Sequence, residues 1–327
     1  MGFLSYIKEL GRGHEGAKDL SFEDAYRMYS AMLDGGVPEL ELGAILMAMR
    51  IKTESMAEIL GFYQAVDERL YRLKAPLEGV RPVVIPSYNG ARRQANLLPL
   101  LALLLQRFGI PVLLHGTLEA NGRVATAYIL RELGIMPCGT LAQAQQAVND
   151  EHLAFVPTAV LSPGLGAQLS MRNRMGVRNS AHTLVKLIDP FEGGGLRIVS
   201  VTHSAYLDKL REFFGATEAT ALLMRGTEGE SFANPKRRPQ LEFFDQGTSS
   251  ILFEAELGPL KTLPAMPQGT DARATASWIR QALAGDAALP MPLVNQLACC
   301  LYASGYTHDM NQAKAIVAVE TGSLAVA

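Results

Sequence analysis

The chain has 327 residues, enough for one large α/β domain and a smaller one, because single hydrophobic cores stop growing at about 250–300 residues. Hydrophobic residues make up 48% and charged residues 19%, which excludes an intrinsically disordered chain. The net charge of −2 excludes a uniformly basic protein, but the charges are unevenly spread. Residues 1–70 carry seven Lys or Arg against twelve Asp or Glu, whereas 81–116, 161–188 and 235–239 together carry eleven Lys or Arg and no acidic residue. Local basic patches therefore matter more to an anionic partner than the total charge does.

Cysteine spacing and hydropathy limit the cellular compartments in which the protein is expected. The three cysteines, Cys138, Cys299 and Cys300, lack the spacing of a metal site or of a secreted disulfide framework. The N-terminal residues contain no apolar stretch of signal-peptide length. The longest apolar run, Leu97 to Leu105, is about half of a ~20-residue membrane span. We therefore expect a cytoplasmic protein with no membrane association.

Residues 1–75 predict a helical domain, which helices from about 161–188 are expected to join. Ser21 to Asp24 resembles a capping box, and the Gly35-Gly36 pair ends the helix that it opens. Helices this short with so many apolar positions need a partner surface, which is either the rest of the chain or a second copy in a homodimer. The predicted helices span about 21–34, 38–51 and 55–71.

Residues 81–116 carry the clearest α/β signal. They predict a buried strand, a tight loop (Pro86 to Ala91), an apolar helix and a second strand. This order places backbone N–H groups at a helix N-terminus, where the helix dipole favours anions. Arg92 and Arg93 stand at the same helix start. The pattern therefore predicts a negatively charged guest, either a small phosphate substrate or a nucleic-acid backbone.

Strands and helices alternate over residues 76–327, which is typical of an α/β domain with a mainly parallel central sheet covered on both faces. The predicted fold class is thus a small N-terminal helical domain plus a larger α/β domain. The predicted strands lie at 83–85, 112–114, 153–156, 196–201 and 219–224, and the predicted helices at 97–108, 123–133, 141–148, 206–214, 272–284 and 292–304.

The order of elements and five segments together resemble the anthranilate phosphoribosyltransferase (TrpD) family, glycosyltransferase family 3, over nearly the full length. The resemblance implies a phosphoribosyltransferase/nucleoside phosphorylase-like fold and a homodimer formed through the N-terminal helices. The matching segments are LELGAILMAMRIK at 40–52, the loop at 86–90, Leu-His-Gly at 114–116, Arg-Asn-Arg-Met-Gly-Val-Arg at 172–178 and Met-Arg-Gly-Thr-Glu-Gly at 224–229.

The chain departs from the family at the positions that perform the reaction. The family's diphosphate loop is GTGGD followed by Asn-x-Ser-Thr, whereas this chain has Pro-Ser-Tyr-Asn-Gly at 86–90 and Asn-Leu-Leu-Pro at 96–99. Proline and tyrosine obstruct the close approach of backbone to phosphate. The family's Lys-His-Gly-Asn has become Leu-His-Gly-Thr at 114–117, so its lysine is absent.

The acidic pair that holds magnesium in the family falls on Ser231 and Phe232. Glu228 and Glu230 are nearby but out of register, which leaves a rebuilt metal site open. We predict no catalytic residue, no metal and no cofactor.

Loss of these groups with gain of basic residues is similar to the YbiB-like branch of TrpD-like proteins. That similarity implies a non-catalytic homodimer with basic grooves that binds DNA and RNA without sequence specificity. Arg172 corresponds to the family arginine that faces the anthranilate carboxylate. The candidate nucleic-acid-binding residues are Arg92, Arg93, Arg172, Arg174, Arg178, Lys186, Arg225, Lys236, Arg237 and Arg238. The remains of the substrate pocket are Ser87, Asn89, Gly90, Asn96, His115, Gly116 and Thr117.

Several interpretations stay open. The Lys236 to Arg238 run between two prolines is either a solvated loop or an extended contact to a nucleic-acid backbone. Arg172 and Arg174 diverge by about 200° around a helix, so at least one arginine here is expected to be structural. Tyr88 either fills the old diphosphate pocket or stacks on a base. The alternative function is a phosphoribosyltransferase-like enzyme that acts on a phosphorylated sugar or nucleoside with a rebuilt site, and a third is a regulator that keeps a small anion.

Overall fold

The computed structural model describes residues 2–13 and 15–322. It contains two compact units: a helical unit (Met1–Arg72 and Thr158–Pro190) and an α/β unit (Leu73–Pro157 and Phe191–Ala327). The first boundary follows Arg72, three residues before the end of the predicted helical domain. No helix among the described residues is long and apolar enough to cross a membrane.

The described residues form fourteen helices and seven strands, which are numbered along the chain. The helices are α1 (Phe3–Leu10), α2 (Phe22–Leu33), α3 (Glu39–Lys52), α4 (Met56–Asp67), α5 (Leu98–Arg107), α6 (Thr126–Glu132), α7 (Leu141–Glu151), α8 (Thr158–Leu161), α9 (Pro163–Met175), α10 (Ala181–Leu184), α11 (Ala205–Thr217), α12 (Ala272–Ala284), α13 (Met291–Ala303) and α14 (Met310–Thr321). The strands are β1 (Val83–Ser87), β2 (Val112–Gly116), β3 (Leu153–Pro157), β4 (Leu196–Val201), β5 (Ala221–Arg225), β6 (Leu241–Asp245) and β7 (Thr248–Phe253).

Side-chain caps fix the starts of α2 and α4 in the helical unit. Ser21 accepts a hydrogen bond from the N–H of Asp24 at 3.1 Å, which is one half of the capping box expected there. Ser55 and Glu58 form a complete box, because each side chain accepts a hydrogen bond from the other's backbone N–H. Glu58 is fully buried and also accepts bonds from the N–H of Leu20 at 2.9 Å and from Lys52 Nζ at 2.8 Å. One carboxylate thus ties the loop before α2 and the end of α3 to the start of α4.

The α/β unit is built on a seven-stranded sheet in the order β3-β2-β1-β4-β5-β6-β7. Strands β1 to β5 are parallel, and the last two pairings are antiparallel. This architecture confirms the predicted fold class of a small helical domain with a larger α/β domain and a mainly parallel sheet. Because β1 to β5 are parallel, their carboxyl ends meet at one edge of the sheet.

The β6–β7 hairpin was not predicted from the sequence. Both residues of its tight turn, Gln246 and Gly247, have positive φ angles (49° and 74°), as a type I′ hairpin turn requires. The first four residues of β7 are exposed and three of them are polar, so the strand lacks the buried apolar run that marked β1 to β5.

Strand β1 runs two residues further than predicted, through Pro86 to Ser87. Its pairing with β2 continues to Ser87, whereas β4 pairs only with Val83 and Val84. The side of β1 toward β4 is therefore free of ladder bonds at Pro86, where proline has no N–H to donate. The extension brings Ser87 to the carboxyl edge of the sheet.

Candidate functional site

The loop between β1 and α5 turns tightly at the carboxyl edge of the sheet. Gly90 has a φ of 73°, in the left-handed region that favours glycine. An added Cβ there would lie 2.6 Å from the Cβ of Ala120 and 2.9 Å from the carbonyl oxygen of Val124. Glycine is thus required at this position by backbone conformation and by its neighbours.

Glu230 fills the inside of this loop. Its side chain is fully buried, and Oε1 accepts hydrogen bonds from the N–H groups of Asn89 (2.8 Å) and Gly90 (2.7 Å). The second oxygen, Oε2, lies 2.5 Å from the hydroxyl oxygen of Ser87. Burial raises the pKa of Glu230 above its ordinary value, although these hydrogen bonds and the charge of Arg123 act in the opposite direction. The backbone donors that an anion would use are bonded to a side chain of the same chain.

A chain of buried polar groups continues from Glu230. The hydroxyl oxygen of Ser87 lies 2.6 Å from that of Thr126, and the side-chain amide of Asn96 donates to Thr126 at 2.7 Å. A serine hydroxyl has one proton, which the Glu230 carboxylate attracts more strongly than a neutral oxygen does. Thr126 therefore donates to Ser87 while it accepts from Asn96. The side chains of Ser87 and Asn96 are thus bonded inside the chain, whereas the Thr117 hydroxyl is buried without a hydrogen-bond partner among the described residues.

Glu228 occupies the outer part of the same loop. Its carboxylate accepts hydrogen bonds from the backbone N–H of Arg92 at 2.6 Å and from that of Arg93 at 3.0 Å. Glu228 has a φ of 55°, which is strained for a residue with a side chain. The bonds to the loop offset this strain and hold the carboxylate in place. Together, Glu228 and Glu230 thus accept hydrogen bonds from four backbone N–H groups of the loop, those of residues 89, 90, 92 and 93.

The side chains of Arg92 and Arg93 lie outside the loop that their backbones close. Both are exposed, and neither guanidinium has a bonding partner among residues 2–13 and 15–322. Tyr88, by contrast, is only 7% exposed, so its ring is not presented to a base. The loop therefore directs its polar backbone inward and its positive charge outward.

The other predicted basic residues of the α/β unit differ in their contacts. Lys236 is exposed, and no partner of its ammonium group is found in the described part of the chain. Arg237 donates to the carbonyl oxygens of Glu256 (2.9 Å) and Leu257 (3.3 Å). Arg238 lies 4.9 Å above the Phe253 ring and 3.7 Å from the Glu256 carboxylate. The run expected to be either solvated or free for a partner thus contains two arginines that hold residues 253–257.

In the helical unit, the charges of three predicted basic residues act on one histidine. The pKa of His182 is lowered to about 3, first by burial and then by the charges of Arg178, Arg172 and Lys186. Arg174 takes a different direction on α9 and forms an exposed ion pair with Glu39 of α3 at 3.1 Å. This divergence matches the 200° separation of positions 172 and 174.

His115 and Gly116 end strand β2, and Thr117 follows it. Burial lowers the pKa of His115 to about 3, and neither ring nitrogen has a hydrogen-bond partner in the described chain. The N–H of Thr117 donates to the carbonyl oxygen of Ser87 at 3.2 Å. His115 is thus a neutral, enclosed side chain.

Comparisons with known proteins agree with this architecture. A family model described as glycosyl transferase family, helical bundle domain, matches residues 4–69. The uncharacterized protein YbiB of Escherichia coli is 47% identical over 306 residues, which are 93% of this chain and 95% of YbiB. Anthranilate phosphoribosyltransferase 2 of Ralstonia nicotianae is 25% identical over 287 residues, 84% of this chain and 80% of that enzyme. The chain belongs to the same family as YbiB and has the TrpD-like fold of glycosyltransferase family 3. The crystal structure of TrpD from Thermus thermophilus shares the fold of this TrpD-like protein, with a TM-score of 0.78 at 21% identity over 97% of this chain and 94% of the other.

The positions that correspond to the family's magnesium ligands are closed in this TrpD-like protein. Ser231 and Phe232 are each 1% exposed, and Phe232 packs in the hydrophobic core of the α/β unit. The residues that the structure describes contain no group of three or more His, Cys, Asp or Glu side chains placed to hold a metal ion. Glu228 and Glu230 instead bond to the loop.

Sequence reasoning missed the role of Glu228, Glu230 and Thr126 in this TrpD-like protein. The sequence assigns the two acids only to a possible metal site, because magnesium binding is the role of acids in that part of the family. One signal was available: Arg-Gly-Thr-Glu-Gly-Glu follows β5, and the carboxyl ends of parallel strands meet at one edge. Two carboxylates at that edge, opposite a loop rich in free N–H groups, predict an internal anion.

Proposed function

We propose that this TrpD-like protein binds DNA and RNA through their phosphate backbones, with little sequence specificity, and does not transfer phosphoribose. The observation that carries the proposal is the loop after β1. Its backbone donors are bonded to Glu228 and Glu230, whereas Arg92 and Arg93 extend into solvent without partners among the described residues. A small diphosphate needs the enclosed donors, but a long polyanion needs only the exposed cations.

The distribution of the remaining charge supports a polyanionic ligand. Lys236 is an exposed cation of the α/β unit, and Arg172, Arg178 and Lys186 of the helical unit all lie close enough to His182 to lower its pKa. Exposed cations on their own bind a single phosphate weakly, whereas many phosphates in series release many counterions and bind strongly. Tyr88 is buried at the loop and offers no stacking surface beside these charges, so contacts to the backbone dominate the proposed binding.

The proposal includes a homodimer formed through the N-terminal helices. On α3, the exposed side chains of Leu40 (83%), Met47 (38%) and Ile51 (60%) fall on one helical face. Leu4 of α1, a helix that packs on α3, is 69% exposed as well. Contiguous apolar surface of this kind marks an interface with another chain. Leu40→Glu with Ile51→Glu should convert a dimer to a monomer in analytical ultracentrifugation, and a chain that is monomeric without these changes would refute this part.

Salt titration tests nucleic-acid binding. Fluorescence anisotropy with labelled single-stranded DNA, duplex DNA and RNA of unrelated sequences should give affinities that fall steeply between about 50 and 200 mM salt. Arg92→Gln with Arg93→Gln should weaken binding to every sequence and lower the slope for duplex DNA by about 0.9 for each phosphate that the variant no longer neutralises. Arg273→Gln on α12 is the matched control, since this exposed arginine lies outside the proposed surfaces.

Two outcomes would refute the proposal. The first is binding that does not respond to salt or is absent at about 50 mM. The second is a rise in melting temperature with phosphoribosyl diphosphate and magnesium, because a ligand that binds the folded state stabilises it. The second outcome would favour the enzyme alternative, which requires an open diphosphate loop.

A further inference from the structure

A group of arginines lines a cavity in the α/β unit at the carboxyl end of β5. The cavity has a volume of about 480 Å³, and we call it the arginine cavity. Its lining contains four arginines, Arg211, Arg225, Arg237 and Arg238, but only one carboxylate, Glu242. The volume falls within the range of about 300–1,000 Å³ that small-molecule sites occupy.

The four arginines are not equally neutralised. Arg211 donates to Glu242 at 2.8 Å and to Asp208 at 2.7 Å. The carboxylate of Glu242 is therefore already paired with Arg211. Arg238 has Glu256 at 3.7 Å and stacks over Phe253. Arg237 bonds to backbone carbonyl oxygens, and Arg225 to that of Thr202 at 3.3 Å. Carbonyl oxygens orient a guanidinium group without cancelling its charge, so Arg225 and Arg237 are positioned cations that lack a counterion among the described residues.

The first turn of α11 contributes to the same cavity. Ser204 and Leu207 line it, so the N-terminus of the 13-residue α11, which is the positive end of its dipole, borders the cavity. Leu207, Leu223 and Pro239 provide an apolar wall beside the arginines. The cavity therefore places positive charge next to an apolar surface.

We propose that the arginine cavity binds a phosphate monoester joined to a nucleoside, with the phosphate between Arg225 and Arg237 and the base against the apolar wall. This chemistry has two sources, a free mononucleotide and the 5′-terminal phosphate of a strand. The first source is independent of nucleic-acid binding, and the second rests on the proposed function. A guanidinium pair matches phosphate oxygens with parallel hydrogen bonds, which makes it suited to this ligand.

Isothermal titration calorimetry on the full chain tests the site with adenosine and uridine 5′-monophosphates against the matching nucleosides. The nucleotides should bind at one site per chain, and the nucleosides at least about tenfold more weakly, since they cannot form charge-assisted hydrogen bonds through a phosphate. Arg225→Gln and Arg237→Gln should each weaken nucleotide binding by about tenfold or more. Arg273→Gln, on α12 and outside the cavity, should leave it unchanged.

Ser204→Glu provides a variant that does not depend on removal of an arginine. Ser204 is exposed at the N-cap of α11, where a carboxylate stabilises the helix. The new carboxylate faces the phosphate position, so nucleotide binding should fall by about tenfold while the melting temperature stays the same or rises. Loss of binding in this variant cannot be attributed to unfolding.

Oligonucleotides distinguish the two sources. If a 5′-phosphorylated strand binds about tenfold more tightly than the same strand with a 5′-hydroxyl, and Arg225→Gln removes the difference, the cavity takes strand ends. The cavity proposal fails if neither free nucleotides nor 5′-phosphates bind better than their unphosphorylated forms. It also fails if Ser204→Glu and both arginine variants bind as the unchanged chain does. Salt-dependent binding of 5′-hydroxyl strands with no effect of a 5′-phosphate would refute the cavity alone and leave the proposed function standing.

Discussion

Replacement of Glu230 tests whether its carboxylate is the internal anion of the loop. Glu230→Ala would leave three buried donors without an acceptor: the N–H groups of Asn89 and Gly90 and the hydroxyl of Ser87. Each unsatisfied buried donor costs about 1–3 kcal/mol, and deletions at buried charged networks cost about 3–5 kcal/mol in total. For an α/β unit of this size we expect the melting temperature to fall by on the order of 10 °C.

Glu230→Gln is the matched variant. Its amide oxygen still accepts from both backbone N–H groups, and its NH₂ group donates to Ser87, whose hydroxyl turns toward Thr126. The Thr126 hydroxyl then loses its acceptor, so this change should cost about 1–3 kcal/mol at neutral pH, less than Glu230→Ala. Burial raises the pKa of Glu230, so the folded chain binds its proton more tightly than the unfolded chain. The contribution of Glu230 to stability therefore falls as the pH rises above the unfolded pKa, and Glu230→Gln should gain stability relative to the unchanged chain over that window.

Thermal melts with added diphosphate complete the test. Glu230→Ala exposes loop N–H groups that an external anion can reach, so diphosphate should raise its melting temperature but not that of the unchanged chain. Glu230→Gln should show no such rise. The reasoning is refuted if Glu230→Ala costs less than about 1 kcal/mol, or if Gln and Ala destabilise the chain equally.

Three further predictions concern stability. The pKa values of His115 and His182 are lowered to about 3 in the folded chain, from an ordinary value of 6.5. Between pH 6.5 and 3, the unfolded chain therefore binds protons that the folded chain does not. Each histidine then reduces the free energy of unfolding by about 1.4 kcal/mol for each pH unit that the pH falls. Denaturant unfolding across this range should show a shallower slope for His115→Gln, and an unchanged slope would mean that His115 is protonated in the fold. Gly90→Ala should reduce the free energy of unfolding by well over the about 1 kcal/mol expected for Gly109→Ala. Both glycines have a φ of 73°, but only Gly90 has neighbours within contact distance of an added Cβ. Equal losses of stability in the two variants would show that the loop relaxes. Glu58→Ala should reduce the free energy of unfolding by about 3–5 kcal/mol, because Glu58 is buried and accepts hydrogen bonds from the N–H groups of two loops and from the Lys52 ammonium. Circular dichroism melts would detect this loss, and a loss near zero would contradict the assigned network.

The sequence was most informative where the structure depends on neighbouring residues. Strand β4 and helix α12 have the predicted bounds, because buried β-branched runs and capped amphipathic patterns are local signals. The β6–β7 hairpin has short, partly polar strands, and its Gln246-Gly247 turn is a weaker signal than Asn-Gly or Asp-Gly.

The sequence predicts where the candidate site lies, but not which residues accept its hydrogen bonds. The strand–loop–helix pattern located the loop, yet its acceptors, Glu228 and Glu230, lie more than 130 residues further along the chain. The same limit applies to Arg237, whose carbonyl partners lie about 20 residues away in a segment without regular structure. Charge and spacing identify a cation, but only the three-dimensional contacts show whether it is already engaged.

The two carboxylates of the turn at 226–230 occupy the loop N–H groups that a bound phosphate would need. A carboxylate held in place by a folded turn has an effective concentration far above the millimolar values of a flexibly tethered group. A free diphosphate at cellular concentration must displace two such groups together, because Glu228 and Glu230 share one turn. Additional glycines in the loop would therefore not by themselves create a phosphate site. An engineered diphosphate site has to begin with the replacement of Glu228 and Glu230 in that turn.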